Sequence, residues 1–190
     1  MRTYSIALGV LLVSLGGPYA ETGVSLGATQ AIRIQRIPDD CSMSLFANHD
    51  DSFENAYCWQ QEGVAPPYFG SFGEAFDLGQ GEIECVAIWA TTGSSHLSEP
   101  MTLYVWRGGI GSPPGEVLYM RSEQVLTNIP FWPSVGQNNL EVGEGWCVNE
   151  TFTVGYWADF SLSECWWYVA SDESGVGGYP WTNIAPGIGY

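Results

Sequence analysis

Ile83-Glu84-Cys85-Val86-Ala87-Ile88-Trp89-Ala90 is apolar at odd and even positions alike, apart from Glu84. A strand with water on one side alternates, whereas a strand with packed material on both sides reads as a continuous apolar run. Gly79-Gln80-Gly81 turns the chain into this run, and Thr91 to Pro100 is a polar loop leading out of it. The segment is therefore expected to be an inner strand with a layer on each side.

The flanking segments carry the alternation that the central run lacks. Gly70, Phe72, Glu74 and Phe76 share one face of an expected strand, with Ser71, Gly73, Ala75 and Asp77 on the other. From Thr102 to Arg107, Leu103 and Val105 oppose Tyr104 and Trp106. The run Gly108-Gly109-Ile110-Gly111-Ser112-Pro113-Pro114-Gly115 fits neither ladder nor helix. Further short strands are expected at 116–120, 124–126, 140–142, 152–157 and 165–170, with Pro130-Phe131-Trp132-Pro133 as a rigid aromatic corner. Glycine is abundant (24 residues) and aromatics make up 14%, while long helix-favouring runs are missing, a composition that favours strands and tight turns. Roughly eight or nine short strands at this spacing predict an all-β fold: a two-sheet antiparallel β-sandwich, with a jelly roll as the expected connectivity and a closed barrel as the competing one.

Residues 1–20 read as a signal peptide: Arg2, an apolar stretch from Tyr4 to Leu15, and a small-residue exit ending at Ala20. Residues 21–48 form an N-terminal segment with a short strand expected over Ile32 to Ile37, which Pro38 ends; residues 49–190 are the sandwich domain. The protein is thus expected to be exported, as a secreted, periplasmic or cell-surface protein with no membrane span after the leader. Export favours disulfides for Cys41, Cys58, Cys85, Cys147 and Cys165, and an odd count leaves at least one thiol unpaired. Lysine is absent, and five arginines face 21 acidic residues for a net charge of −16. That field repels phosphate backbones, which argues against nucleic acid as a partner.

The sandwich domain opens with Asp50-Asp51-Ser52-Phe53-Glu54-Asn55-Ala56-Tyr57-Cys58-Trp59, a polar cluster running into an aromatic strand. Asp50, Asp51, Glu54 and Asn55 offer the hard oxygen ligands of a structural Ca²⁺ site. The competing reading is an acidic turn whose side chains bond the local backbone. Tyr57 and Trp59 are expected to face the core.

This opening resembles the Asp-Asp-Gly-x-x-Glu-Asn start of exported bacterial β-sandwich modules of uncharacterised role, with Ser52 where those modules carry glycine. Thr102 to Trp106, followed by Gly108-Gly109 and then Pro114 to Tyr119, resembles their middle hairpin, and Phe152 to Trp157 a late strand. The resemblance implies a jelly-roll-like module of the kind found beside secreted peptidases and glycosidases or surface-sorting sequences.

Two further groups of residues carry chemistry. Glu74 and Glu84, on strands expected to be adjacent, could supply the carboxyl pair of a glycosidase; the competing reading places both at strand ends facing water. Tyr104 with Trp106, and Trp166 with Tyr168, each share a strand face and could stack on sugar rings, against core packing as the simpler role. His49 and His96 lie in no recognisable nucleophile context. The expected function is a non-catalytic β-sandwich protein for binding, with a glycan as the ligand class, or for cell-surface structure with a surface polymer as partner. The alternative is a small secreted glycosidase.

Overall fold

The computed structural model describes residues 3–8, 23–25, 45–50, 52–59, 69–93, 100–159, 167–174 and 178–183. These contain strands and no helix. In chain order the strands are β1 (Thr3–Leu8), β2 (Gly23–Ser25), β3 (Leu45–Ala47), β4 (Asn55–Trp59), β5 (Phe69–Phe76) and β6 (Gly81–Thr91). They continue as β7 (Met101–Arg107), β8 (Val117–Gln124), β9 (Gly136–Val148), β10 (Phe152–Asp159), β11 (Tyr168–Ser171) and β12 (Pro180–Asn183).

Two sheets form. One has the order β2-β4-β11-β6-β1-β3, with β9 also on β6; the other has the order β12-β5-β10-β7-β8. Ile88 of β6 pairs with both Leu8 and Asn138, and Ala90 with both Val169 and Gly136. Strand β9 therefore holds one edge of β6, while β1 and β11 share the other. The ladders are antiparallel except those of β1, which runs parallel to β6 and β3. The expected sandwich is what is found. Strand β1 lies within the expected leader: a short apolar run suits a strand ladder and a signal peptide for the same reason. The strand expected over Ile32 to Ile37 lies outside the described residues.

The core sits between the sheets. Phe72 and Phe76 of β5, Leu103 and Val105 of β7, and Phe152, Val154 and Tyr156 of β10 meet Ile83, Val86 and Ile88 of β6. On the opposite face of β6, Ala87 and Trp89 pack with Phe53 and Ala170. The continuous apolar run of β6 is thus explained by two separate packing layers.

Two local expectations are revised. One continuous strand, β8, covers most of the segment expected at 116–120 and ends at Gln124, with Val125 and Leu126 outside it; the polar Arg121-Ser122-Glu123 is tolerated because β8 is an edge strand paired only with β7 among the described residues. The aromatic corner is real, and divides its labour: Phe131 bridges Thr92 and stays exposed, while Trp132 packs on Ala56, Cys58 and Tyr168. Cys58 and Cys85 each take part in a disulfide, and Cys147 is free and exposed. Cys41 and Cys165 lie outside the described residues.

Candidate functional site

Strand β7 turns Leu103 and Val105 into the core, so Tyr104 and Trp106 project from the outer face of the five-stranded sheet. Their rings stack on each other, centroids 5.0 Å apart and planes inclined by 18°. Trp106 is buried and Tyr104 half-buried. The pair is therefore not two open plates, as the shared parity suggested, but one ring supported by another. Glycine makes room for the support. Gly155 of β10 lies opposite Tyr104, and a Cβ there would meet the Trp106 ring and the Phe72 carbonyl oxygen.

The same row continues across the sheet. Gly155 pairs with Gly73 of β5, and Gly73 with Trp181 of β12. Trp181 and Tyr104 thus flank a two-glycine floor, three strand spacings or about 14 Å apart at the backbone. Trp181 Nε1 donates to the Gly109 carbonyl oxygen at 2.6 Å, which fixes the indole. Trp157, two residues after Gly155 on the same face, is half-buried like Trp181. On the far side of Tyr104, its β8 partner Met120 is exposed.

The second expected platform is not part of this face. Tyr168 belongs to β11 in the other sheet and is buried against Ala56 and Cys58; Trp166 lies outside the described residues. Trp157 and Trp181 were missed by sequence reasoning. Gly155 and Trp157 do share parity in Phe152 to Trp157, but nothing local places Trp181 beside Gly73.

The acidic opening of β4 meets a segment far along the chain. Asp50 N–H donates to Asp172 Oδ2 at 2.9 Å, and Glu173 N–H to Glu54 Oε2 at 2.7 Å. Ser52 Oγ lies 2.6 Å from Asp50 Oδ1 and 3.0 Å from Glu54 Oε1 and shares its one proton between them, and Ser174 Oγ reaches Glu54 Oε1 at 3.0 Å. Asn55 Nδ2 and Tyr57 Oη both donate to Glu173 Oε1, at 3.0 and 2.6 Å. Burial pushes the Glu54 carboxyl up, but the hydrogen bonds from Glu173 N–H, Ser174 and Ser52 outweigh it and leave the group below its ordinary value. Asp50, Glu54 and Asn55 are thus brought together with Asp172 and Glu173, which the sequence did not single out. Among the described residues no set of three acids, histidines or cysteines is arranged to hold a metal ion; Asp51 lies outside them. The arrangement locks the start of β4 to the end of β11.

Glu74 and Glu84 are not neighbours. The Gly79 turn carries the chain from β5 in one sheet to β6 in the other, so the expected cross-strand pairing does not form. Glu84 is exposed. Glu74, between Phe72 and Phe76 on the inner face, is 0% exposed. Its Oε1 accepts hydrogen bonds from Asn48 Nδ2 at 2.8 Å and from Tyr179 N–H. Burial pushes its carboxyl up to about 7, against the lowering effect of those two bonds. Such a group could move a proton, but not with Glu84 as its partner. Comparison with known proteins gives no matching family model, no matching curated protein and no matching solved structure.

Proposed function

We propose that the protein is an exported, non-catalytic binding module whose ligand is a glycan or a glycan-bearing surface polymer, held on the outer face of the five-stranded sheet. The observation that carries this reading is the row Trp181, Gly73, Gly155, Tyr104, with Trp157 beside it. Partly exposed aromatic rings around a floor without side chains suit the flat apolar faces of sugars. The glycosidase alternative loses its support with the separation of Glu74 and Glu84. A jelly-roll connectivity is supported by the order β4-β11-β6-β9 in one sheet and β5-β10-β7-β8 in the other.

A structural Ca²⁺ is the second element of the reading. Its ligands would be Asp50, Asp51, Glu54 and Asn55; its support is the clustering of Asp50, Glu54 and Asn55 with Asp172 and Glu173, and the ion would have to displace the N–H donors those oxygens already accept. Calcium is expected to raise the melting temperature; an unchanged Tm in chelator removes the ion and leaves the hydrogen-bonded lock to act alone.

A glycan array followed by titration calorimetry tests the binding face. Tyr104→Ala and Trp181→Ala should each weaken glycan binding roughly three- to tenfold, the worth of one aromatic contact, measured well below the melting temperature of each variant. Binding indifferent to both substitutions, or glycan hydrolysis by the wild-type protein, would overturn the proposal.

A further inference from the structure

Glu74 joins three separate pieces of chain. Its own strand is β5; Asn48 belongs to the link between β3 and β4; Tyr179 precedes the edge strand β12. The two donors both use Oε1. Oε2 is buried and has no hydrogen-bond partner among the described residues. Gly178 closes the space: a Cβ there would collide with Glu74 Oε1 and the carboxyl carbon.

We propose that Glu74 is a proton-operated clamp: its carboxylic acid form holds the start of β12 and Asn48 against β5, and loss of the proton loosens the 178–183 segment. Solvation separates the two forms. A neutral acid offers Oε1 as a carbonyl acceptor to both N–H donors and leaves only an O–H without a partner. A carboxylate in the same place leaves Oε2 charged, buried and without a donor, which costs far more. The cheapest relief is to admit water. Strand β12 is the element that can yield: it is the sheet edge, pairs only with β5 among the described residues, and follows a half-exposed Tyr179.

Among the described residues no charged side chain hydrogen-bonds to the Glu74 carboxyl. Asn48, Gly178 and the backbone of Tyr179 lie against the carboxyl. The register partners of Glu74 are Val154 on β10 and Pro180 on β12, and Phe72 and Phe76 flank it along β5. His49, next to Asn48, packs its ring on Phe53 and Trp89, and Asp77, three residues beyond Glu74, is exposed and of opposite strand parity. The shift of the carboxyl to about 7 agrees with this geometry and has burial as its main cause. The clamp does not depend on what the aromatic face binds.

Amide hydrogen exchange across residues 178–183, corrected for the intrinsic pH dependence, reads the clamp directly. Protection should fall by at least about tenfold between pH 5.5 and 8 as the proton is lost. In Glu74→Gln the corrected protection should be flat with pH. Asn48→Ala removes one donor that favours the carboxylate, so its transition should move to higher pH; this variant and a ¹³C carboxyl titration of the wild-type protein serve if Glu74→Gln does not fold. Protection in the wild-type protein that is level or rises with pH, or a Glu74 carboxyl that titrates near 4.5, overturns the clamp.

Discussion

Asn138 and Glu74 are both buried polar side chains on strands, and they stand at opposite ends of hydrogen-bond satisfaction. Asn138 Oδ1 accepts the N–H groups of Thr127 and Asn128 at 2.9 and 2.7 Å, and Nδ2 donates to the carbonyls of Asn128 and Gly136 at 2.9 and 3.2 Å. One side chain thereby staples the loop after β8 to β9. Asn138→Leu would strand two N–H groups and cost about 2 kcal/mol or more, to be read from denaturant melts. Glu54 and Glu74 are expected to give pH dependences of opposite sign. The Glu54 carboxyl lies below its ordinary 4.5, so its contribution is complete above about 4.5 and is lost as pH falls through its lower native value. The Glu74 carboxyl lies above 4.5, at about 7, so its contribution is complete below 4.5 and declines as pH rises to 7. Glu54→Gln should flatten the acid limb of a stability-against-pH curve, and Glu74→Gln the limb between 4.5 and 7.

Among the elements, β6 was the most legible, because packing on both faces leaves an unbroken apolar pattern that no half-exposed strand can carry. What covers its outer face was not legible. The cover is Phe53, fully buried in an otherwise polar stretch, with the His49 ring 4.6 Å from that of Trp89. Tyr57, expected to face the core, packs against it but is half-buried and turns its hydroxyl to Glu173; the side chain of Trp59 lies outside the described residues. Phe53→Ala should therefore cost about 3–5 kcal/mol in chemical denaturation, and Tyr57→Ala markedly less. The pairing of Glu74 with Glu84 failed for a different reason. A Gly-Gln-Gly turn serves a hairpin and a crossing between sheets equally well, so local residues do not say which strand follows alongside. Edge strand β8 also hid behind its polarity. Positive φ at Glu123 and two register shifts against β7 roughen that edge, which discourages pairing with another chain.

For the whole molecule, composition constrains the proposed ligand more tightly than any single strand does. On the proposed reading, aromatic residues and acidic charge together select what the outer face would hold. The rings offer contacts to apolar sugar faces, while a net charge of −16 without a single lysine opposes sulfated or uronic polymers as it opposes nucleic acid. The two sheets separate these properties in space: the acidic lock sits at β4 and β11 in one sheet, and the aromatic row crosses the other. No sequence pattern could show that separation, since it depends on which strands share a sheet. A neutral ligand held by rings should ignore ionic strength, because the Debye length shortens from about 10 Å at 0.1 M to 3 Å at 1 M salt without touching stacking contacts. Affinity for a neutral polysaccharide is therefore expected to stay within about twofold between 0.1 M and 1 M NaCl, and polyanionic glycans should bind weakly at 0.1 M. A preference for anionic glycans at low salt, measured by the same calorimetry, would place the ligand away from the aromatic row and against the charge of the molecule.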